Sequence, residues 1–330
     1  MKAAIVGVAG LALSAAEARL LAAHPPAGVI LFARNISDLG QLRSLISDLR
    51  RVLPVGAVLM VDQEGGRVAR LRPPHWRAHP SAAAIGARFA VDRAAGLRAA
   101  WLSGALIGLD CRFAGFDVVC APVLDVRASG AHDVIGDRAF AADPDAVARL
   151  GWAMARGLLA AGIQPVMKHA PGHGRAQVDS HLDLPVVANA DLAADFAPFA
   201  RNASLPWAMS AHILYTSLDP IRPATFSPSV IGGIVRSRMG FRGVLVSDDL
   251  AMQALSGAPA GRALAALGAG CDIALYCSGV LSANAEVLSA CCDLTGMAGA
   301  RFAAAREMAR ACMCPFDPAA LAAERGRLLA

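Results

Sequence analysis

Two kinds of apolar pattern alternate along the chain: short runs with few polar interruptions, and longer stretches where apolar residues recur every three or four positions. The short runs fall at residues 3–8, 28–32, 57–61, 118–121, 163–167, 207–210, 244–247 and 273–276. They are apolar on both faces, as in strands covered on both sides. The longer stretches predict helices near 37–51, 92–109, 143–161, 192–200, 228–238 and 261–268, each starting close to Ser, Asp or Pro and most closing near Gly. Ser14-Ala15-Ala16-Glu17 spells a capping box, so a further helix is expected from Ala15 to about His24. Eight strands alternating with helical stretches imply an α/β fold, a single closed parallel (β/α)8 TIM-type barrel. A doubly wound sheet would need about six strands and a glycine fingerprint after the first, for which Gly7-Val8-Ala9-Gly10 is too short. No linker or break in composition divides the chain. Residues 1–330 therefore read as one domain, with the alanine-rich tail from about 281 to 330 as additional helices packed outside the barrel.

Composition narrows the class. A chain of 330 residues holds a barrel of ~250 with room for extensions, and 56% apolar content predicts a large core. Charged residues interrupt every alanine-rich stretch before it could cross a bilayer, so no membrane insertion is expected. The net charge of +5 is spread without a basic block, which argues against a nucleic-acid partner. Eight cysteines show no paired metal spacing; the adjacent Cys291-Cys292 and the close Cys312 and Cys314 make poor disulfide partners, so most read as reduced core thiols. The N-terminal MKAAIVGVAGLALSAA has the look of a signal peptide, but removing it would cost the first strand and the capped helix, so the segment is expected to stay and the protein to be cytoplasmic.

In a barrel the polar residues closing the strands face the active site. Here they are Arg34 and Asn35, the stretch DQEGGR at 62–67 with Arg70, Asp125, Arg138, Lys168 and His169, His212, and Asp248 with Asp249. The richest segment, KHAPGHGRAQVDSH at 168–181, opens a loop of about twenty residues, and loops that long are usually functional. His169 and His173 have the spacing of a zinc-binding helix, yet Pro171, Gly172 and Gly174 would break that helix; there is no P-loop either, so neither a metal nor a cofactor is expected. In Asp179-Ser180-His181 a carboxylate two residues from an imidazole can orient the ring and raise its basicity, which suits proton transfer. Asp248 ends an apolar strand and would point into the barrel mouth as nucleophile, base or metal ligand, whereas Asp249 reads as a cap for the next helix. Trp76, Trp207 and Tyr215 are either stacking surfaces for a ligand or plain core.

The motifs GVILFARN, DQEGGRVARL, IGDRAF, KHAPGHGRAQVDSH, MSAHILY and MGFRGVLVSDDLAM together resemble the bacterial cytosolic β-N-acetylhexosaminidases of glycoside hydrolase family 3, over residues 28 to 276. The resemblance implies a retaining exo-β-N-acetylglucosaminidase with Asp248 as nucleophile and His181, paired with Asp179, as general acid/base. It also implies that Asp62, Arg70, Arg138, Lys168 and His169 bind the terminal N-acetylglucosamine. The implied substrate is a muropeptide fragment of cell-wall recycling, N-acetylglucosamine joined to 1,6-anhydro-N-acetylmuramic acid; apart from the resemblance, the chain is expected to be a monomer. Ala170 and Arg175 depart from the commoner family string KHFPGHGDT. Glycoside cleavage needs one group beneath the sugar and one proton donor at the leaving oxygen, and Asp248 and His181 fit those two tasks. The competing chemistry is an aldolase-like barrel with Lys168 as Schiff-base amine; a catalytically silent sugar-binding barrel is argued against by the presence of both Asp248 and His181.

Overall fold

The computed structural model describes residues 1–179, 183–188 and 191–330. Among them eight parallel strands run round a barrel: β1 Lys2–Gly7, β2 Pro26–Leu31, β3 Val58–Val61, β4 Val118–Val119, β5 Gln164–Ala170, β6 Trp207–Ser210, β7 Val244–Val246 and β8 Ala274–Tyr276. Each strand pairs with its successor up to β7, β8 pairs with β1, and a bridge between Val246 and Ile273 joins β7 to β8. The eight apolar runs are thus the eight strands, with ends displaced by three residues at most. A two-residue parallel pairing of Val186–Val187 with Leu214–Tyr215 lies outside the barrel.

Helices α1 Ala15–Ala23, α2 Leu39–Val52, α3 Ala82–Val91, α4 Arg93–Ala114, α5 Pro144–Ala160 and α6 Ala193–Arg201 connect successive strands. A π-helical segment Ser229–Arg238, α7 Pro259–Ala269 and α8 Leu281–Ala290 continue the ring. The capping box is formed: Ser14 Oγ accepts from Glu17 N at 3.2 Å, and Glu17 Oε2 accepts from Ser14 N at 2.9 Å. The other Glu17 oxygen accepts from Ala9 N, tying β1 to α1. Helix α3 was not expected. Its alanine-rich sequence has little polar face, and Asp92 both ends it and caps α4 through Ala95 N, so no loop composition marks the boundary.

Alternation along the strands sorts the apolar residues into two sets. Leu59, Val61, Met167, Ala208 and Leu245 face the helices, while Val58, Met60, Val118, Val166, Trp207, Val244 and Val246 fill the barrel interior. The tail corrects one expectation. Of its three helices, α8 packs outside against β1 and α7, and α10 (Pro318–Leu329) outside against α3 and α4, but α9 (Gly296–Cys312) inserts Phe302 and Ala305 into the interior cluster. Phe302 meets Trp207 edge-on at 5.4 Å, and Trp207 Nε1 donates to Gln164 Oε1 at 2.9 Å. The tail therefore seals the barrel floor as well as covering its side. No helix among the described residues is long and apolar enough to cross a membrane.

Candidate active site

The same alternation builds the barrel mouth. Two residues beyond Met60, Val166 and Val246 of the interior set come Asp62, Lys168 and Asp248, so the positions after the last apolar layer carry charge. They line a cavity of about 550 Å³ together with Arg70, Arg138, His169 and Asp179. Seven of the eight residues expected to act on the substrate thus converge there; the eighth, His181, lies outside the described residues.

Ion pairs hold most of these groups in place. Lys168 Nζ sits 2.8 Å from Asp62 Oδ1 and 2.6 Å from Glu64 Oε1. Glu64 takes both arms of the Arg138 guanidinium at 2.8 Å, and Arg70 reaches Asp62 Oδ2 at 3.2 Å. Burial pushes the Asp62 and Glu64 carboxyls up, but the cations beside them outweigh it: Lys168 and Arg70 hold Asp62 below its ordinary value, and Arg138 and Lys168 bring Glu64 to about 2. Burial alone would lower the Lys168 ammonium; the two carboxylates raise it instead. An amine held protonated in this way has no lone pair for a carbonyl, which argues against the Schiff-base reading.

Asp125 is completely buried and organises the start of the long loop. Its carboxylate accepts from the backbone amides of His169 (3.1 Å) and His173 (2.6 Å) and from His169 Nδ1 (2.7 Å), leaving His169 Nε2 near Arg138 Nη2 at 3.5 Å. Farther along, Arg175 pairs with the buried Asp195 at 2.7 Å, so this departure from the family string ties the loop to α6; Ala170 is buried at the end of β5. Tyr215 is core, its hydroxyl donating to Gly172 O, and Trp207 belongs to the floor. Trp76 does not line the cavity; the aromatic that does is Phe32, with the Arg34 and Arg70 guanidinium carbons 5.0 and 5.4 Å from its ring centre.

On the opposite strand, Asp248 Oδ1 accepts from Asp249 N at 2.8 Å. Burial opposes its ionisation, yet the His169 and His212 rings and that amide keep its carboxyl below the usual range. Asp249 has a different task. Its Oδ1 accepts from Ala251 N and Cys277 N, pinning the turn after β7 to the end of β8, and burial raises its carboxyl. It caps a turn rather than a helix, since α7 begins only at Pro259. His212 is buried between Thr225 Oγ1 and the Asp249 carbonyl. Arg34 and Asn35 bond the carbonyls of Val8, Gly10 and Cys277 and serve the strand ends.

Glu64 and Asp125 are the groups that sequence reading left without a role. Glu64 could have been found as the residue two beyond Asp62; nothing local marks Asp125 as the partner of His169.

The family described as Glycosyl hydrolase family 3 N terminal domain matches residues 2–307. The chain is 44% identical over 276 residues to a beta-hexosaminidase of Thioalkalivibrio sulfidiphilus, covering 82% of this chain and 78% of that one. It is 43% identical over 298 residues to a beta-hexosaminidase of Methylococcus capsulatus, covering 88% and 86%. A solved structure of NagZ from Neisseria gonorrhoeae in complex with N-trifluoroacetyl-D-glucosamine superposes with a TM-score of 0.88 at 31% identity, over 100% of this chain and 98% of the other.

Proposed function

From the premise that the chain belongs to glycoside hydrolase family 3, we propose that it is a retaining exo-β-N-acetylglucosaminidase. Membership makes it a glycoside hydrolase, and the name shared by its relatives makes it one of the β-N-acetylhexosaminidases. In the proposed reaction the Asp248 carboxylate attacks the anomeric carbon while His181, oriented by Asp179, gives a proton to the departing glycosidic oxygen. Water then reaches the glycosyl-enzyme, His181 takes its proton, and N-acetylglucosamine leaves with its anomeric configuration retained. Asp62, Arg70, Arg138, Lys168 and His169 bind the terminal sugar through charge-assisted hydrogen bonds, for which Lys168 has a third donor beyond the two its carboxylates use. Residues 1–330 act as one domain and as a monomer, in the cytoplasm, on muropeptide fragments in which N-acetylglucosamine is joined to 1,6-anhydro-N-acetylmuramic acid.

The observation that carries this reading is Asp248 itself: a carboxylate at a strand end, half-buried in the cavity wall, kept ionised by neighbouring rings and an amide, with no lysine or arginine bonded to it among the described residues. An anion so placed is available to an electron-poor carbon. The test is to treat the enzyme with an activated 2-fluoro or 5-fluoro glycoside and map the labelled peptide. A covalent adduct on Asp248, with a retained product, is expected; labelling of Asp249 or an inverted product overturns the assignment. Cleavage of a chromogenic β-N-acetylglucosaminide in preference to the β-glucoside tests the sugar.

A further inference from the structure

Helix α10 lies beyond residue 307, where the family match ends, yet it delivers a buried cation to the back of the cavity wall. Arg325, 9% exposed, donates from Nη1 to His79 Nδ1 at 2.9 Å and from Nη2 to Ala78 O at 3.2 Å. A guanidinium can only donate, so Nδ1 of His79 must be the acceptor and its proton must sit on Nε2. That nitrogen faces Asp110 Oδ2 of α4 at 3.0 Å, and Arg77 binds the other Asp110 oxygen. One buried imidazole thus joins α10, α4 and the segment leading into α3. The charged groups facing it are Asp110, Arg77 and Arg325, and the arrangement requires a neutral ring, because a second proton would displace the Arg325 bond and set two cations together.

The segment that His79 anchors is also the back of the substrate-facing turn. The His79 carbonyl accepts from Gly66 N at 3.0 Å, and Pro80 O occupies a point 2.3 Å from where a Gly65 side chain would begin. Gly65 and Gly66 have φ of +99° and +56°, and no side chain cushions the contact. A shift at 79–80 therefore passes directly into the turn that sets Glu64, and through Glu64 into Lys168 and Arg138.

We propose that Arg325 is a positioning residue for the turn 62–67: acting through His79, it fixes Glu64 and hence the sugar-binding Lys168 and Arg138 without touching the cavity. The proposal rests on reading that cavity as the N-acetylglucosamine site.

The test compares substitutions on one helix in the full chain. Arg325→Met should raise KM for a chromogenic β-N-acetylglucosaminide roughly tenfold while kcat stays within about twofold. Leu321→Ala, which removes an α10 side chain packed on Leu102, Ala105 and Leu106, should lower Tm and leave KM alone. His79→Gln keeps one donor and one acceptor and should hold KM near the wild-type value, whereas His79→Leu should raise it. If Arg325→Met does not fold, Arg325→Lys carries the comparison, with an intermediate KM. Amide hydrogen exchange over residues 63–68 should quicken in Arg325→Met and not in Leu321→Ala. Equal KM values for the two helix variants, or unchanged exchange at 63–68, overturns the proposal. If the wild-type protein cleaves no β-N-acetylglucosaminide, the functional reading fails, and the exchange comparison still decides the positioning role.

Discussion

The floor and the mouth of the barrel are made by the same strands and share almost no chemistry. Below the mouth, Met60, Val166, Trp207 and Val246 belong to one interior apolar cluster, which Phe302 joins at the floor by meeting Trp207 edge-on, with Trp207 Nε1 satisfied by Gln164. One inward step toward the mouth, Asp62, Lys168 and Asp248 replace them, and the space fills with matched charge. Apolar burial at the floor stabilises the fold outright. Buried ion pairs at the mouth roughly break even against their desolvation and are costly only when broken. The difference assigns stability to one end and chemistry to the other, and it holds the mouth's charges at fixed spacing on a scaffold that does not depend on them.

The strongest challenge to that division is Asp248→Ala. It should reduce kcat by about 10⁴–10⁶-fold, the loss expected when an attacking group is removed, with Tm little changed because the half-buried carboxylate bonds the amide of its own neighbour Asp249 and ties no two elements together. A large fall in Tm, read by calorimetry, would place Asp248 among the structural groups. His181→Ala should follow with a loss of about 10²–10⁴-fold. A nitrophenyl glycoside, whose leaving group needs little protonation, should lose less in the bond-cleaving step than a disaccharide substrate; equal losses would remove His181 from the acid's task.

From the other end, Phe302→Ala should cost about 3–5 kcal/mol of unfolding free energy and leave kcat/KM within about twofold, measured by denaturant titration beside steady-state assays. A matching loss of activity would mean that floor and mouth are coupled.

The smallest effect separates the ends by pH. Burial, reinforced by His169, lowers the His173 ring from its usual 6.5 to about 4, and burial also lowers His79. As pH falls below about 6.5 the unfolded chain takes up these protons before the native one does, so stability should decline between pH 6.5 and about 4. Glu64, depressed to about 2, adds a second decline that starts near pH 4.5. Urea midpoints from pH 7.5 to 4.5 should drop accordingly, and Phe302→Ala should displace that curve without changing its slope, because Phe302 clusters with apolar side chains and the charge over its ring is the Arg306 guanidinium, neither a carboxyl nor an imidazole. A flat profile in the wild-type protein would break the link between buried histidines and stability.

Much of this molecule is written locally. Eight apolar runs bounded by polar loops specify eight buried parallel strands, because strand length and the burial of both faces leave a continuous apolar signature. The capping box fixes the first helix through bonds spanning three residues. Asp62, Lys168 and Asp248 were legible as active-site candidates because the end of a barrel strand is a functional address. That uniform apolarity also hides which face turns inward, so only the closed barrel decided that Met60 and Val166 form the interior while Leu59 and Met167 meet the helices. Long-range pairing was beyond local reading too. Asp125 meets His169 from 44 residues away, Glu64 meets Arg138 from 74, and Arg325 meets His79 from 246. Phe302 looks like any apolar residue of a tail helix until β6 places Trp207 against it. Sequence determines what is expressed in neighbouring residues, namely element type, ends and caps; a buried charge is defined by the partner that compensates it, and tertiary structure alone supplied that partner.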